Sequence, residues 1–157
     1  MKVLMNDDAF AKKGFTISTD KSLIDFETVY SYLTNDSYWA QGITADRLKK
    51  AIENSICFGV YYGNKQVGFT RVVTDMATFA YICDVFILPE YRRLGLSKWL
   101  MQTIKQHPDF QGLRRWSLAT LDAHGLYEQF GFSALSNPKR WMEIFAPYEK
   151  QNQGGEK

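Results

Sequence analysis

The stretch PEYRRLGLSKWL, residues 89–100, decides how the rest of the chain is read. Before it runs TFAYICDVFIL, residues 78–88, an apolar strand-like segment that Pro89 stops. After it, Leu96, Trp99, Leu100, Thr103 and Ile104 recur at helical spacing until Pro108. Two arginines and two small residues, Gly95 and Ser97, fill the junction. The first-turn amides of a helix lack intrahelical partners, and the helix dipole is positive there. Small side chains let an anion approach that backbone closely. The junction therefore fits a pyrophosphate cradle, with Arg92 and Arg93 adding charge. It fits equally a turning loop with solvated arginines, because short glycine patterns recur by chance. No GxxxxGK[ST] pattern is present, which excludes the usual nucleotide P-loop.

Working outward, GFTIS (14–18) reads as a short strand. Ser22 and Asp25 resemble a capping pair for a helix carrying Leu23, Phe26, Tyr30 and Leu33. Thr44 is an N-cap for a second helix with Leu48, Ala51 and Ile52 on one face. SICFGVYY (55–62) and QVGFTRVVT (66–74) read as strands joined by a Gly63-Asn64 hairpin. RRWSLAT (114–120) is a further strand, Asp122 caps a short helix through Phe130, and Gly131 ends it. RWMEIFA (140–146) is predicted to be a last strand. The order is strand, two helices, three strands, helix, strand, helix, strand. That order predicts a central sheet covered by helices, with at least one parallel crossover.

Composition narrows the function classes. The 157 residues suit one domain spanning 1–157, with 1–13 and 150–157 as mobile ends. Hydrophobic residues make up 45% and charged residues 23%, as in ordinary globular chains. A net charge of +2 is too small to imply a nucleic-acid or membrane partner. Cys57 and Cys83 lack metal or redox spacing and sit in apolar runs, so no metal site is expected. There is no apolar stretch of membrane-spanning length and no signal-peptide pattern, so a cytoplasmic protein is expected.

RRLGLS, residues 92–97, resembles the acyl-CoA pyrophosphate loop of the GNAT superfamily of N-acyltransferases, Arg/Gln-x-x-Gly-x-Gly/Ala. Arg92 fills the first place and Gly95 the fourth. Ser97 stands where Gly or Ala is usual, and is still small. LYEQFGF, residues 126–132, is similar to that family's later helix with its tyrosine and Gly-Phe ending. The element order agrees over residues 14–146.

The resemblance implies an α+β fold with a mixed central sheet, splayed in the middle and flanked by helices. It implies acetyl-CoA as co-substrate and direct attack by a primary amine. The cofactor would meet the strand edge Val85, Phe86, Ile87 and Leu88 and the loop Arg92, Arg93, Leu94, Gly95, Leu96 and Ser97. A strand amide such as that of Phe86 would donate to the oxyanion. Thr120 stands where relatives often carry a cofactor-binding asparagine. Tyr127 aligns with the general acid; its alternative is a packed aromatic. Asp84, an acidic residue in an apolar strand, takes the place of an acceptor-facing carboxylate that binds ammonium or serves as base. Its alternative is a structural carboxylate paired with Arg71. Tyr38 and Trp39 either line an acceptor pocket or pin the first helices to the core. Three functions stay open: a small-molecule amine acetyltransferase, a protein or peptide acetyltransferase, and a non-catalytic CoA-binding module. A monomer or homodimer is expected.

Overall fold

A computed structural model of the chain describes residues 6–149. The sheet has five strands: β1 (Phe15–Ser18), β2 (Ile56–Tyr62), β3 (Lys65–Thr74), β4 (Phe79–Ile87) and β5 (Arg115–Leu118). They lie side by side in chain order, antiparallel except for the parallel β4–β5 pair. The helices are α1 (Asp7–Lys12), α2 (Phe26–Ser31), α3 (Ala45–Glu53), α4 (Leu96–Gln106) and α5 (His124–Glu128). Helix α4 is the parallel crossover that the strand-then-helix junction predicts.

Each face of the sheet carries its own core. Leu96, Trp99, Leu100, Met101 and Ile104 of α4 pack on Phe58, Val60, Val67, Val72 and Ile82. Val29, Leu33, Leu48 and Ile52 of the early helices pack with Cys57, Phe69 and Phe86 on the other face. Leu33, Leu48 and Leu100 are fully buried, and such a side chain contributes roughly 1.5–3 kcal/mol.

Four expectations are corrected. The segment before Gly14 is not a loose arm over its described part. Asn6 caps α1 by accepting from the amides of Asp8 and Ala9, and Phe10 stacks on Trp99 at 4.4 Å. The Trp99 indole also donates to Asp7. Residues 1–5 and 150–157 lie outside the described region. Ser22 and Asp25 do not act as a pair: Asp20 caps the turn at Lys21–Leu23, and Asp25 alone caps α2 through Thr28.

Asp122 does not cap α5. The Thr120 hydroxyl accepts from the Ala123 amide at 3.0 Å and turns the chain instead. The fourth correction is the last strand. Residues 141–149 hold no regular structure, and 142–149 make no hydrogen bond among the described residues. A strand exists only when its amides and carbonyls find a ladder, and among the described residues this segment pairs with none.

The first long helix is also interrupted. Thr34 Oγ1 takes the Tyr30 carbonyl at 2.7 Å and Ser37 Oγ takes that of Leu33 at 2.6 Å. Side-chain competition of this kind loosens the helical ladder. The turn from Tyr32 to Asp36 widens to π geometry, closed by Ser37 N–H donating to the Tyr32 carbonyl at 2.9 Å. That turn presents Tyr38 and Trp39 to the sheet.

Candidate active site

The site begins where β4 and β5 part. Their pairing ends at Ile82 and Leu118, while β4 continues to Ile87. Asp84, just beyond, has φ +54°, a left-handed residue inside a strand. The β3–β4 register also slips between Phe69 and Arg71. A bulge of this kind bends the strand and turns its edge toward the gap.

The loop after β4 opens a cavity of about 450 Å³, lined among others by Ile87, Arg93, Gly95, Ser97 and Leu126. Gly95 is the N-cap of α4 at φ +87°, a conformation that disfavours any side chain. Trp99 N–H makes the first helical bond, to the Gly95 carbonyl. The amides of Arg93 through Lys98 meet no acceptor among the described residues. Consecutive open amides at a positive helix end, with a basic side chain beside them, suit the pyrophosphate of a coenzyme A thioester. The residues present therefore fit acetyl-CoA.

Not every residue of the sequence pattern points there. Arg92 lines the cavity too, but two of its nitrogens brace the fold: Nε donates to the Ile87 carbonyl and Nη2 to the Tyr32 hydroxyl, each at 2.9 Å. Leu94 is exposed and does not line the cavity, whereas Leu96 is buried in the core and lines it. The edge of β4 is partly engaged, since the Ile87 carbonyl is held by Arg92, while the Leu88 N–H is taken up on the opposite side by Val67 of β3. Val85 packs against the α4 core, and Phe86 stacks on Tyr32 at 4.0 Å. Thr120 uses its hydroxyl in the β5–α5 turn.

Tyr127 is 8% exposed and packs edge-on to Phe132. Its hydroxyl has no partner among the described residues. Burial pushes its pKa up to about 12, with the nearby Tyr38 and Asp122 adding to the shift. The phenol therefore keeps its proton at any ordinary pH, the state a proton donor needs.

On the acceptor side the structure realises the Asp84–Arg71 pairing. Arg71 Nε donates to one carboxylate oxygen at 2.9 Å, and Trp39 Nε1 donates to the other at 2.9 Å. Arg71 is itself held by the Ser55 hydroxyl at 3.1 Å. These contacts satisfy a carboxylate only 8% exposed, which unpaired would be costly. Trp39 thus points at the sheet, with the Tyr38 ring edge-on to it at 4.9 Å. The Tyr38 hydroxyl accepts from the Leu121 amide at 2.9 Å, tying this loop to the end of β5. Tyr38, Trp39, Asp84 and Tyr127 are therefore brought to one region.

Sequence reasoning missed Tyr32 and Leu121. Leu121 acts through its backbone, which no side-chain pattern reveals. Tyr32 lies off the helical stripe, and its only signal is a polar-tipped ring just before the Thr34 and Ser37 that distort the helix.

A splayed strand pair, an amide-rich loop opening a helix and a buried tyrosine past the next strand define a class: acyl-CoA-dependent acetyltransferases. The sequence profile of the acetyltransferase (GNAT) family matches residues 26–132, and the chain belongs to that family. A GNAT-family structure from Xanthomonas campestris pv. campestris is 48% identical, covers 85% of this chain and 94% of that one, and superposes with TM-score 0.83. A Gibberella zeae protein described as an acetyltransferase is 33% identical over 140 residues, covering 75% of this chain and 78% of that one. The thialysine N-ε-acetyltransferase of Caenorhabditis elegans is 27% identical over 136 residues, covering 80% of each.

Proposed function

We propose that the protein transfers an acetyl group from acetyl-CoA to the primary amine of a small molecule by direct attack. The observation carrying this reading is the run of open amides from Arg93 to Lys98 at the start of α4, whose Leu96 shares a core cluster with the buried, protonated Tyr127. Acetyl-CoA supplies the activated acetyl thioester. The loop amides and Arg93 bind its pyrophosphate, and the small residues at 95 and 97 allow close approach. The open edge of β4 around Val85 and Phe86 orients the rest of the molecule. Tyr127 holds the proton for the departing sulfur.

Asp84 holds negative charge where the amine enters. Each of its oxygens accepts one bond, from Arg71 or from Trp39, and has a lone pair left for an ammonium N–H. In this reading Asp84 orients the amine and receives its proton, while the Tyr38 and Trp39 rings flank the cation. The Tyr38–Leu121 bond favours a small acceptor, because it ties the acceptor loop to the end of β5 where a polypeptide would need an open groove. The Caenorhabditis elegans relative, named for acetylating an amino-acid side-chain amine, supports the same substrate size.

The test is thiol release from acetyl-CoA across a panel of small amines and lysine-containing peptides. Turnover with small primary amines and none with peptides supports the proposal. Peptide turnover alone overturns the small-molecule assignment. Acetyl-CoA binding without any turnover overturns the catalytic one.

A further inference from the structure

We infer that Arg71 reads a carboxylate on the acceptor, so that the amine taken here is that of an α- or β-amino acid. This rests on the acceptor side assigned above and adds a second recognition point beside Asp84.

Arg71 stands on β3 opposite Cys57 of β2 and Cys83 of β4. Its guanidinium is fixed at two places. Nε donates to Asp84 Oδ2 at 2.9 Å, and Nη1 donates to the Ser55 hydroxyl at 3.1 Å. Ser55 is buried and gives its own proton to the Ala51 carbonyl at 2.7 Å, which leaves its oxygen to accept from Arg71. The remaining nitrogen, Nη2, donates to no group among the described residues. The Arg71 side chain is still 19% exposed. A guanidinium held in place with an unused nitrogen is a preorganised receptor for a carboxylate.

The surroundings are open rather than core-like. Trp39, bonded to the other Asp84 oxygen, is 39% exposed, and Tyr81 is 37% exposed. Burial, then Cys83 and Asp84, raise the Tyr81 phenol above its ordinary range while Arg71 opposes the rise, so this ring lies in the field of the same charged pair.

The charge balance separates an amino acid from a plain amine. Arg71 already neutralises Asp84. A bare ammonium would share a carboxylate whose field is largely cancelled, and would be repelled by the guanidinium. A zwitterion brings its ammonium to Asp84 and its carboxylate to Nη2. The four charges then alternate, and no net charge is taken out of water. The two receiving groups are adjacent, because one guanidinium touches Asp84 and carries Nη2. Amine and carboxylate must therefore be close neighbours in the acceptor, as they are in an α- or β-amino acid. A lysine-like side-chain amine is separated from its carboxylate by a flexible chain, which would have to fold back to use both points.

The experiment compares acetyl transfer to the common amino acids, to β-alanine, and to the amide and the decarboxylated amine of each, with the acetylated nitrogen located by mass spectrometry. The free acids are expected to exceed their neutral counterparts in kcat/KM by about 10- to 100-fold, the worth of a charge-assisted hydrogen bond. Arg71→Lys keeps a positive charge beside Asp84 and loses the fork, so the preference should fall to within about 3-fold. Where that variant fails to fold, Ser55→Ala keeps both charges and releases only Nη1; it should lower the preference by about 3- to 10-fold. Equal use of acids and neutral counterparts by the wild type, a preference untouched by these substitutions, or acetylation confined to side-chain amines would each overturn the inference while leaving acetyl transfer itself standing. Should no amine turn over, the catalytic reading fails, and calorimetry of free acids against their amides on the CoA-bound protein decides the inference alone. Tighter binding of the acids supports it, and equal or absent binding overturns it.

Discussion

The Arg92 guanidinium donates to the Tyr32 hydroxyl at 2.9 Å, joining the coenzyme loop to the turn that leads to the acceptor loop. Tyr32 also stacks on Phe86, and its carbonyl closes the π turn before Tyr38 and Trp39. Coenzyme and acceptor sides of the site are thus braced through one side chain. Both adjacent arginines line the cavity, and Arg92 alone also braces the fold through its hydrogen bonds.

Arg92→Ala should lower stability by about 1 kcal/mol through two lost hydrogen bonds and raise the KM for amine. Arg93→Ala should leave the melting temperature unchanged and weaken acetyl-CoA binding, with reduced salt dependence. Calorimetry and thermal melts on both variants check this. Equal effects from the two substitutions would contradict the division.

Tyr127→Phe should keep the fold and the acetyl-CoA affinity while lowering kcat roughly 10- to 1000-fold. With its pKa pushed up to about 12, the phenol stays protonated, so no alkaline fall in rate below pH 11 should trace to Tyr127. Steady-state rates across pH on wild type and variant measure both. Unchanged turnover, with chemistry rate-limiting, would remove Tyr127 from the donor role.

Asp84→Asn leaves the Arg71 guanidinium beside a neutral amide. It should lower stability by about 1–3 kcal/mol. If Asp84 also meets the amine, the KM for amine rises and the pH–rate profile shifts, while acetyl-CoA affinity stays constant. A destabilised variant with wild-type kinetics at every pH would leave Asp84 purely structural.

Alkaline stability follows from buried acids. Burial pushes the Cys57 thiol up to about 11 and the Cys83 thiol and the Tyr61 and Tyr127 phenols up to about 12. Each raised group binds its proton more tightly when folded. Its stabilisation is complete below the unfolded value, 9.0 for a thiol and 10.0 for a phenol, and is lost as pH rises through the folded value. The melting temperature should fall progressively between pH 9 and 12. The fall should be shallower in Cys57→Ala, relative to that variant's own neutral-pH value. A flat profile over that range would contradict the assignment.

The parts of the site legible in the sequence are the local ones. Gly95 at a strand-to-helix junction reveals the loop because the positive φ and the open amides belong to one short stretch. Asp25 and Thr44 reveal helix starts for the same reason, and Asn6, followed by two acidic residues, carries the signal for α1. Relations between distant residues were not legible. Trp39 and Asp84 are 45 positions apart, Tyr38 and Leu121 83 apart, and nothing in either segment encodes the other. The β4 bulge at Asp84 is equally hidden, since the sequence there reads as an unbroken apolar strand. RWMEIFA has strand-forming composition, but forming a strand depends on a ladder that the segment does not meet among the described residues.

The most direct test of the central claim, acetyl transfer at this loop and tyrosine, is a single mass-balance experiment. Protein, acetyl-CoA and a small primary amine are incubated, and free CoA and N-acetylated amine are quantified together. The account predicts equal amounts of both, no product with Gly95→Glu, and strongly slowed formation with Tyr127→Phe. Absence of CoA release with every amine, together with no calorimetric response of the wild type to millimolar acetyl-CoA, would contradict it.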